Sequence, residues 1–236
     1  MKRYLKNRKI LEEGHAYSKS MEHDACGVGL IASTEGKKSR KVVEYGINAL
    51  KAVFHRGAVD ADGKTGDGAG IHLEIPSDFF AEKIEITGHK HDGSEICIGM
   101  IFLPRNNYES QENARTLVES ELTKSNFNIY GWRQVPVNTK VLGEKANFTR
   151  PEITQVLFKN NNKNLSGKEL ERKLYESRRK IEKEAIKNAI EGFYICSLSS
   201  KSIIYKGMFL AESIADFYTD LKDERFISRY AIFHQR

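Results

Sequence analysis

Cys26 stands alone in Met21-Glu22-His23-Asp24-Ala25-Cys26-Gly27-Val28-Gly29, between a charged stretch of 25 residues and a glycine-bearing apolar segment. If the chain is cut before it, a thiol and a free α-amine share one residue. Such an amine titrates near ~7.7–8.0 and a free thiol near ~8.5, so around neutral pH the amine can take the sulfur's proton without a histidine partner. With residues 1–25 attached, that nitrogen is an amide and has no basicity. The competing reading is a small hydrophobe buried on a strand, the common state of an unpaired cysteine.

Other chemistry-bearing residues cluster downstream. His55-Arg56-Gly57-Ala58 ends a helical pattern, where Arg56 either caps the helix's carbonyl end or reaches a pocket. Asp60 to Gly70 holds four glycines and three aspartates in eleven residues, which demands turns. It is not a phosphate loop, because no Lys-Ser/Thr follows its glycines and the segment is acidic. His89-Lys90-His91-Asp92 lies between Gly88 and Gly93 and reads as an exposed loop, not a metal site. Cys97 and Cys196 sit in apolar strand patterns that suit core packing. Three scattered cysteines form no disulfide framework and indicate a reducing compartment.

The elements that must hold these residues follow from periodicity. Gly27 to Thr34 reads as a strand, and Ser39 as the cap of a helix with Val43, Ile47, Leu50 and Phe54 on one stripe. Ile71 to Ile75 alternates as a half-buried strand. Ile96 to Leu103 is an apolar run of the kind covered on both faces. Ala114, Leu117, Val118 and Leu122 mark a helix, while Tyr130 to Val137 and Ile153 to Phe158 read as strands. Gly167 to Glu191 predicts a long helix with Leu170, Leu174, Ile181, Ala185 and Ala189 inward. Residues 193–199 and 202–207 predict a hairpin, and Arg225 to His234 a last strand. This pattern favours α+β layers over an alternating parallel sheet.

The net charge is +6 among 38 basic and 32 acidic residues, with no block of one sign, so no nucleic-acid face is expected. Residues 1–25 contribute six Lys/Arg against four Asp/Glu. They lack the apolar stretch of a secretory signal, and no run approaches the ~18 residues of a membrane span, so a soluble, unexported protein is expected.

Cys26-Gly27-Val28-Gly29, His55-Arg56-Gly57-Ala58 and Lys64-Thr65-Gly66-Asp67-Gly68-Ala69-Gly70-Ile71 come in an order that resembles a known family. The resemblance extends through Gly131-Trp132-Arg133, residues 193–200, Tyr205-Lys206-Gly207-Met208 and the terminal Arg229-Tyr230-Ala231-Ile232-Phe233-His234-Gln235-Arg236. Together they are similar to the amino-terminal class II glutamine amidotransferase domain of the glutamate synthase large subunit, from about Glu22 onward.

That resemblance implies a four-layer αββα N-terminal nucleophile hydrolase sandwich of antiparallel sheets, incomplete at its C-terminus. Residues 1–25 would be a leader removed on maturation and 26–236 a partial amidotransferase domain. Cys26 would be the nucleophile, Arg236 the cation for the α-carboxylate of L-glutamine, and Arg56 with Gly57 neighbours of the glutamine pocket. The family's oxyanion Asn-Gly pair and the acidic residue for the substrate ammonium would lie beyond Arg236, which makes the fragment alone a poor glutaminase. The resemblance also implies delivery of ammonia for glutamate synthesis from 2-oxoglutarate. No cofactor is expected in this chain; FMN and an iron–sulfur cluster belong to the remaining domains, with reduced ferredoxin or a pyridine-nucleotide-linked subunit as electron source. The cytoplasm, or a plastid stroma, is the expected location. The alternative is a truncated, non-catalytic domain with a structural or docking role.

Overall fold

Runs of alternating or continuous apolar residues become eight strands in the computed structural model, which describes residues 2–14, 18, 26–162 and 164–236. The strands are β1 (Gly27–Ala32), β2 (Ala69–Glu74), β3 (Ile96–Leu103), β4 (Phe127–Gln134), β5 (Glu152–Asn160), β6 (Tyr194–Ser199), β7 (Ser202–Gly207) and β8 (Tyr230–Gln235). The helices are α1 (Lys2–Glu13), α2 (Arg40–Ala52), α3 (Ser77–Ile86), α4 (Tyr108–Lys124), α5 (Glu144–Thr149), α6 (Gly167–Lys187) and α7 (Ile214–Phe217). A first sheet runs β1-β8-β2-β7 and a second β4-β5-β3-β6. Every strand pairing within them is antiparallel.

Helical spacing and capping explain the outer layers. Ser39 accepts a hydrogen bond from the Val42 N–H through its hydroxyl, closing the first turn of α2, whose Val43, Ile47 and Leu50 are buried. They join a core that continues through Ile71, Ala231 and Phe233 of the first sheet to Ile98, Met100 and Leu157 of the second. On the far side, Ala114, Val118 and Leu122 of α4 and Leu170, Leu174 and Ile181 of α6 enclose Cys97, Ile101, Val156 and Phe158. Each fully buried Leu or Ile contributes about 1.5–3 kcal/mol. Helices, two facing antiparallel sheets and helices again make the expected α+β sandwich.

Four local expectations are corrected. Residues 194–207 are not a hairpin: β6 pairs with β3 in the second sheet, whereas β7 pairs with β2 in the first. The short turn carries the chain from layer to layer because side chains satisfy its backbone. Ser199 Oγ accepts from the Lys201 and Ser202 N–H groups, and the distant Glu171 accepts from the Ser200 N–H at 2.8 Å. Phe54 leaves the α2 stripe, since Phe54–Arg56 tightens into a 3-10 turn that exposes its ring. Ala189 lies past the end of α6 at φ 51°, after Asn188 closes the helix onto Glu184 O. The last strand starts at Tyr230 and not at Arg225, because Phe226 turns inward to pack on Phe79, Phe80 and Tyr205.

The early segment forms the charged helix α1, laced by an Arg8–Glu12 pair at 3.2 Å. The expected cleavage junction before Cys26 involves residues outside those described.

Candidate active site

Antiparallel register brings distant segments to one end of the first sheet. Gly27 of β1 pairs with Gln235 of β8, which in turn pairs with Ala69 of β2. Extending the β1–β8 register by one residue sets Cys26 opposite Arg236. The Arg236 N–H donates to Gly68 O at 3.0 Å, and Arg236 O accepts from the Ala58 N–H at 3.3 Å. The last residue thus ties the 55–58 segment to the glycine-rich loop. Cys26 itself is partly exposed.

Close backbone approach explains the glycines here. A Cβ on Gly57 would stand 1.8 Å from Gln235 Nε2, so a side chain at 57 would push the buried Gln235 amide out of its present place. Gly68 has φ 142°, a conformation other residues rarely adopt, and presents its carbonyl to Arg236. Arg56 Cβ lies 3.3 Å from the position a Gly27 Cβ would take, placing this residue beside the start of β1. Among the described residues its guanidinium makes no hydrogen bond to a carbonyl of α2, and the side chain is exposed.

The acidic loop is held by bonds of its own side chains. Asp62 accepts from the Lys64 and Thr65 N–H groups and from the Thr65 hydroxyl at 2.6 Å. The Thr65 hydroxyl, aided by these N–H groups, holds its carboxyl well below the usual range. Asp60 pairs with Lys145 of α5 at 2.7 Å, which lowers its pKa likewise.

A cavity of about 450 Å³ opens between the sheets, lined by Asp67, His72, Phe102, Lys206, His234 and Arg236 among others. Its size suits a small metabolite. Arg236 is therefore at a cavity wall, but Cys26, Arg56 and Gly57 do not line it. The sheet register places these residues together more directly than the cavity does. Lys206 donates to the Tyr194 hydroxyl at 2.7 Å, a basic wall residue that spacing alone did not single out.

The remaining candidate groups sort by burial. Burial, with Glu95 and Glu171 adding to it, drives the Cys97 thiol far above its ordinary range, and burial pushes Cys196 up to about 12. Asp92 is engaged by Lys159 and Ser94. Among the described residues no three His, Cys, Asp or Glu converge as metal ligands. The two buried cysteines lie in different cores, so these residues do not fit an iron–sulfur cluster.

Residues 26–236 match the family described as Glutamine amidotransferases class-II. The chain is 55% identical over 230 residues to the Glutamate synthase [NADPH] large chain of Azospirillum brasilense, an overlap covering 98% of this chain and 15% of that protein. It is 39% identical over 216 residues to Ferredoxin-dependent glutamate synthase 2 of Synechocystis sp., covering 91% of this chain and 14% of that one. The chloroplastic ferredoxin-dependent glutamate synthase of Spinacia oleracea is 39% identical over 217 residues, with 91% and 13% covered. This chain thus spans about one seventh of the length of such relatives. With the whole segment from Cys26 to Arg236 matched, the chain belongs to the class II glutamine amidotransferases.

Proposed function

We propose that the chain is the glutaminase part of a glutamate synthase, with Cys26 as its amino-terminal nucleophile after removal of residues 1–25. The observation that carries this reading is the β1–β8 register, which sets Cys26 at the sheet end that also holds Arg236, Gly57 and the Gly68 carbonyl. The Cys26 α-amine takes the thiol proton, and the thiolate attacks the side-chain carbonyl of L-glutamine. The tetrahedral adduct collapses with cleavage of the C–N bond, the ammonium returns the proton to departing ammonia, and a glutamyl thioester remains. Water, deprotonated by the same amine, then releases glutamate and restores the thiol. Arg236 offers a two-pronged guanidinium to the substrate α-carboxylate, and Arg56-Gly57 shapes the adjoining wall.

Ammonia so released serves amination of 2-oxoglutarate in the remaining domains of the longer protein, where FMN and an iron–sulfur cluster supply the reduction. Electrons come from reduced ferredoxin or a pyridine-nucleotide-linked subunit. No helix among the described residues is long and apolar enough to cross a membrane, and the proposed location is the cytoplasm or a plastid stroma. A docking role has its own support: Val28, Leu30 and Ile232 are 66%, 61% and 40% exposed, an apolar face that suits contact with further domains.

The direct test is the intact mass of the active full-length enzyme. A mature chain starting at Cys26 supports the reading, and an active enzyme that retains Met1 to Ala25 contradicts it.

A further inference from the structure

Gln235 is a polar residue in an apolar position. It follows Ala231 and Phe233 on one face of β8, and it is 2% exposed. Its Nε2 donates to Phe54 O at 3.4 Å, whereas its Oε1 has no hydrogen-bond partner among the described residues. Turning the amide over does not help, because Oε1 would then face the Phe54 carbonyl, acceptor against acceptor. A buried amide oxygen of this kind calls for a donor.

The backbone donors of the neighbouring turn and of Arg236 are already engaged. The Arg56 N–H goes to Val53 O, the Gly57 N–H to Phe54 O, the Ala58 N–H to Arg236 O and the Arg236 N–H to Gly68 O. The cross-strand partner of Gln235 is Gly27, whose preceding residue is Cys26. We propose that Gln235 is a positioning residue for the nucleophile: once Cys26 is the first residue, its α-ammonium donates a hydrogen bond to Gln235 Oε1. Gly57, by lacking a side chain, provides the seat for that amide. The inference rests on the liberation of Cys26 proposed above.

A carbonyl acceptor favours the charged amine, so Gln235 raises the pH at which the amine becomes a base. Titratable or charged groups near this end of the packed elements include Lys51 of α2, His55 and Arg56 of the 3-10 turn, Asp67 of the glycine-rich loop, His72 of β2, His234 of β8 and Arg236 just after it; Arg40, Lys41, Glu44 and Tyr45 of α2, Glu74 of β2 and Tyr230 of β8 lie farther along the same elements. None of these changes in the variants used for the test.

The test uses the mature full-length enzyme and follows kcat/KM for glutamine hydrolysis against pH in Gln235→Met and Gln235→Glu. Methionine keeps the length but is only a weak acceptor, so the acid limb should move to lower pH by about half to one unit. Glutamate adds a negative charge in the same shape, so the limb should move to higher pH. Opposite displacements, with KM changing less than kcat, are the expected result. Limbs that coincide in all three proteins, whatever their rates, overturn the role of Gln235 while leaving the nucleophile assignment standing. Intact mass of each variant reads the nucleophile assignment separately, and an active enzyme with Cys26 still acylated overturns both. Should Gln235→Met fail to fold, the isosteric Gln235→Glu decides alone.

Discussion

Cys97 lies within the second sheet with α4 and α6 over it, whereas Cys26 stands at the open end of the first, next to backbone drawn close by glycine. The second sheet is closed by apolar side chains. At the first sheet, α2 covers Ala231 and Phe233, but Val28, Leu30 and Ile232 are left at the surface. The same residue type is therefore buried packing in one layer and a partly exposed thiol in the other. What separates them is the number of covered faces, not the identity of the side chain.

The largest expected contrast is in thiol reactivity. A thiol held at about 12 carries roughly 10³-fold less thiolate at neutral pH than one at its ordinary ~8.5, and burial blocks access besides. Native 236-residue chain treated with iodoacetamide should therefore label Cys26 alone, and all three cysteines only after denaturation. Rapid native labelling of Cys97 or Cys196 would break the comparison.

Stability should divide along the same line. Leu174→Ala, on the buried face of α6, opens a cavity in a buried cluster and should cost about 2–5 kcal/mol in denaturant unfolding. Val28→Ala, on the open face of β1, should change stability by less than about 0.5 kcal/mol. A larger cost of Val28→Ala in the full-length polypeptide would measure how much further domains cover that face.

The smallest effect concerns the ion pairs between α3 and the loop before β8. Arg225 bonds Asp223 and Glu82, and its hydrogen bonds are the main reason each carboxyl is held at about 2. A depressed carboxyl contributes stability above its unfolded pKa and loses it as pH falls through the folded value. The melting temperature of Arg225→Gln should thus lie slightly below the parent between pH 5 and 7, a gap that closes as pH falls from about 4.5 to 2. A gap independent of pH would show that the ion pairs are not its source.

Much of the scaffold was legible because local rules and packing agreed. Ser39 and the Val43-Ile47-Leu50 spacing announce α2, and the uninterrupted Ile96–Leu103 run announces a strand covered on both faces. The layer change at residues 199–202 was not legible. A short turn looks the same whether its strands share a sheet or part company, and the deciding partner, Glu171, lies 29 residues from Ser200. Phe226 was misread for a related reason: an aromatic residue suits a strand until a cluster of buried rings offers it a better place.

The site was legible as residue types and not as contacts. Cys26 could be singled out from its setting, but the bonds joining Ala58, Gly68 and Arg236 depend on three strands meeting in one register. Gln235 left a fainter signal, a polar residue continuing the Ala231-Phe233 alternation. That signal is readable only when polar residues are sought at apolar positions.

The central claim is that Cys26 attacks the amide. Steady-state glutamine hydrolysis by the full-length enzyme carrying Cys26→Ala tests it most directly: the account predicts a fall of at least about 10³-fold with the fold intact, since the nucleophile and its thioester are gone. Hydrolysis at the parent rate would contradict it.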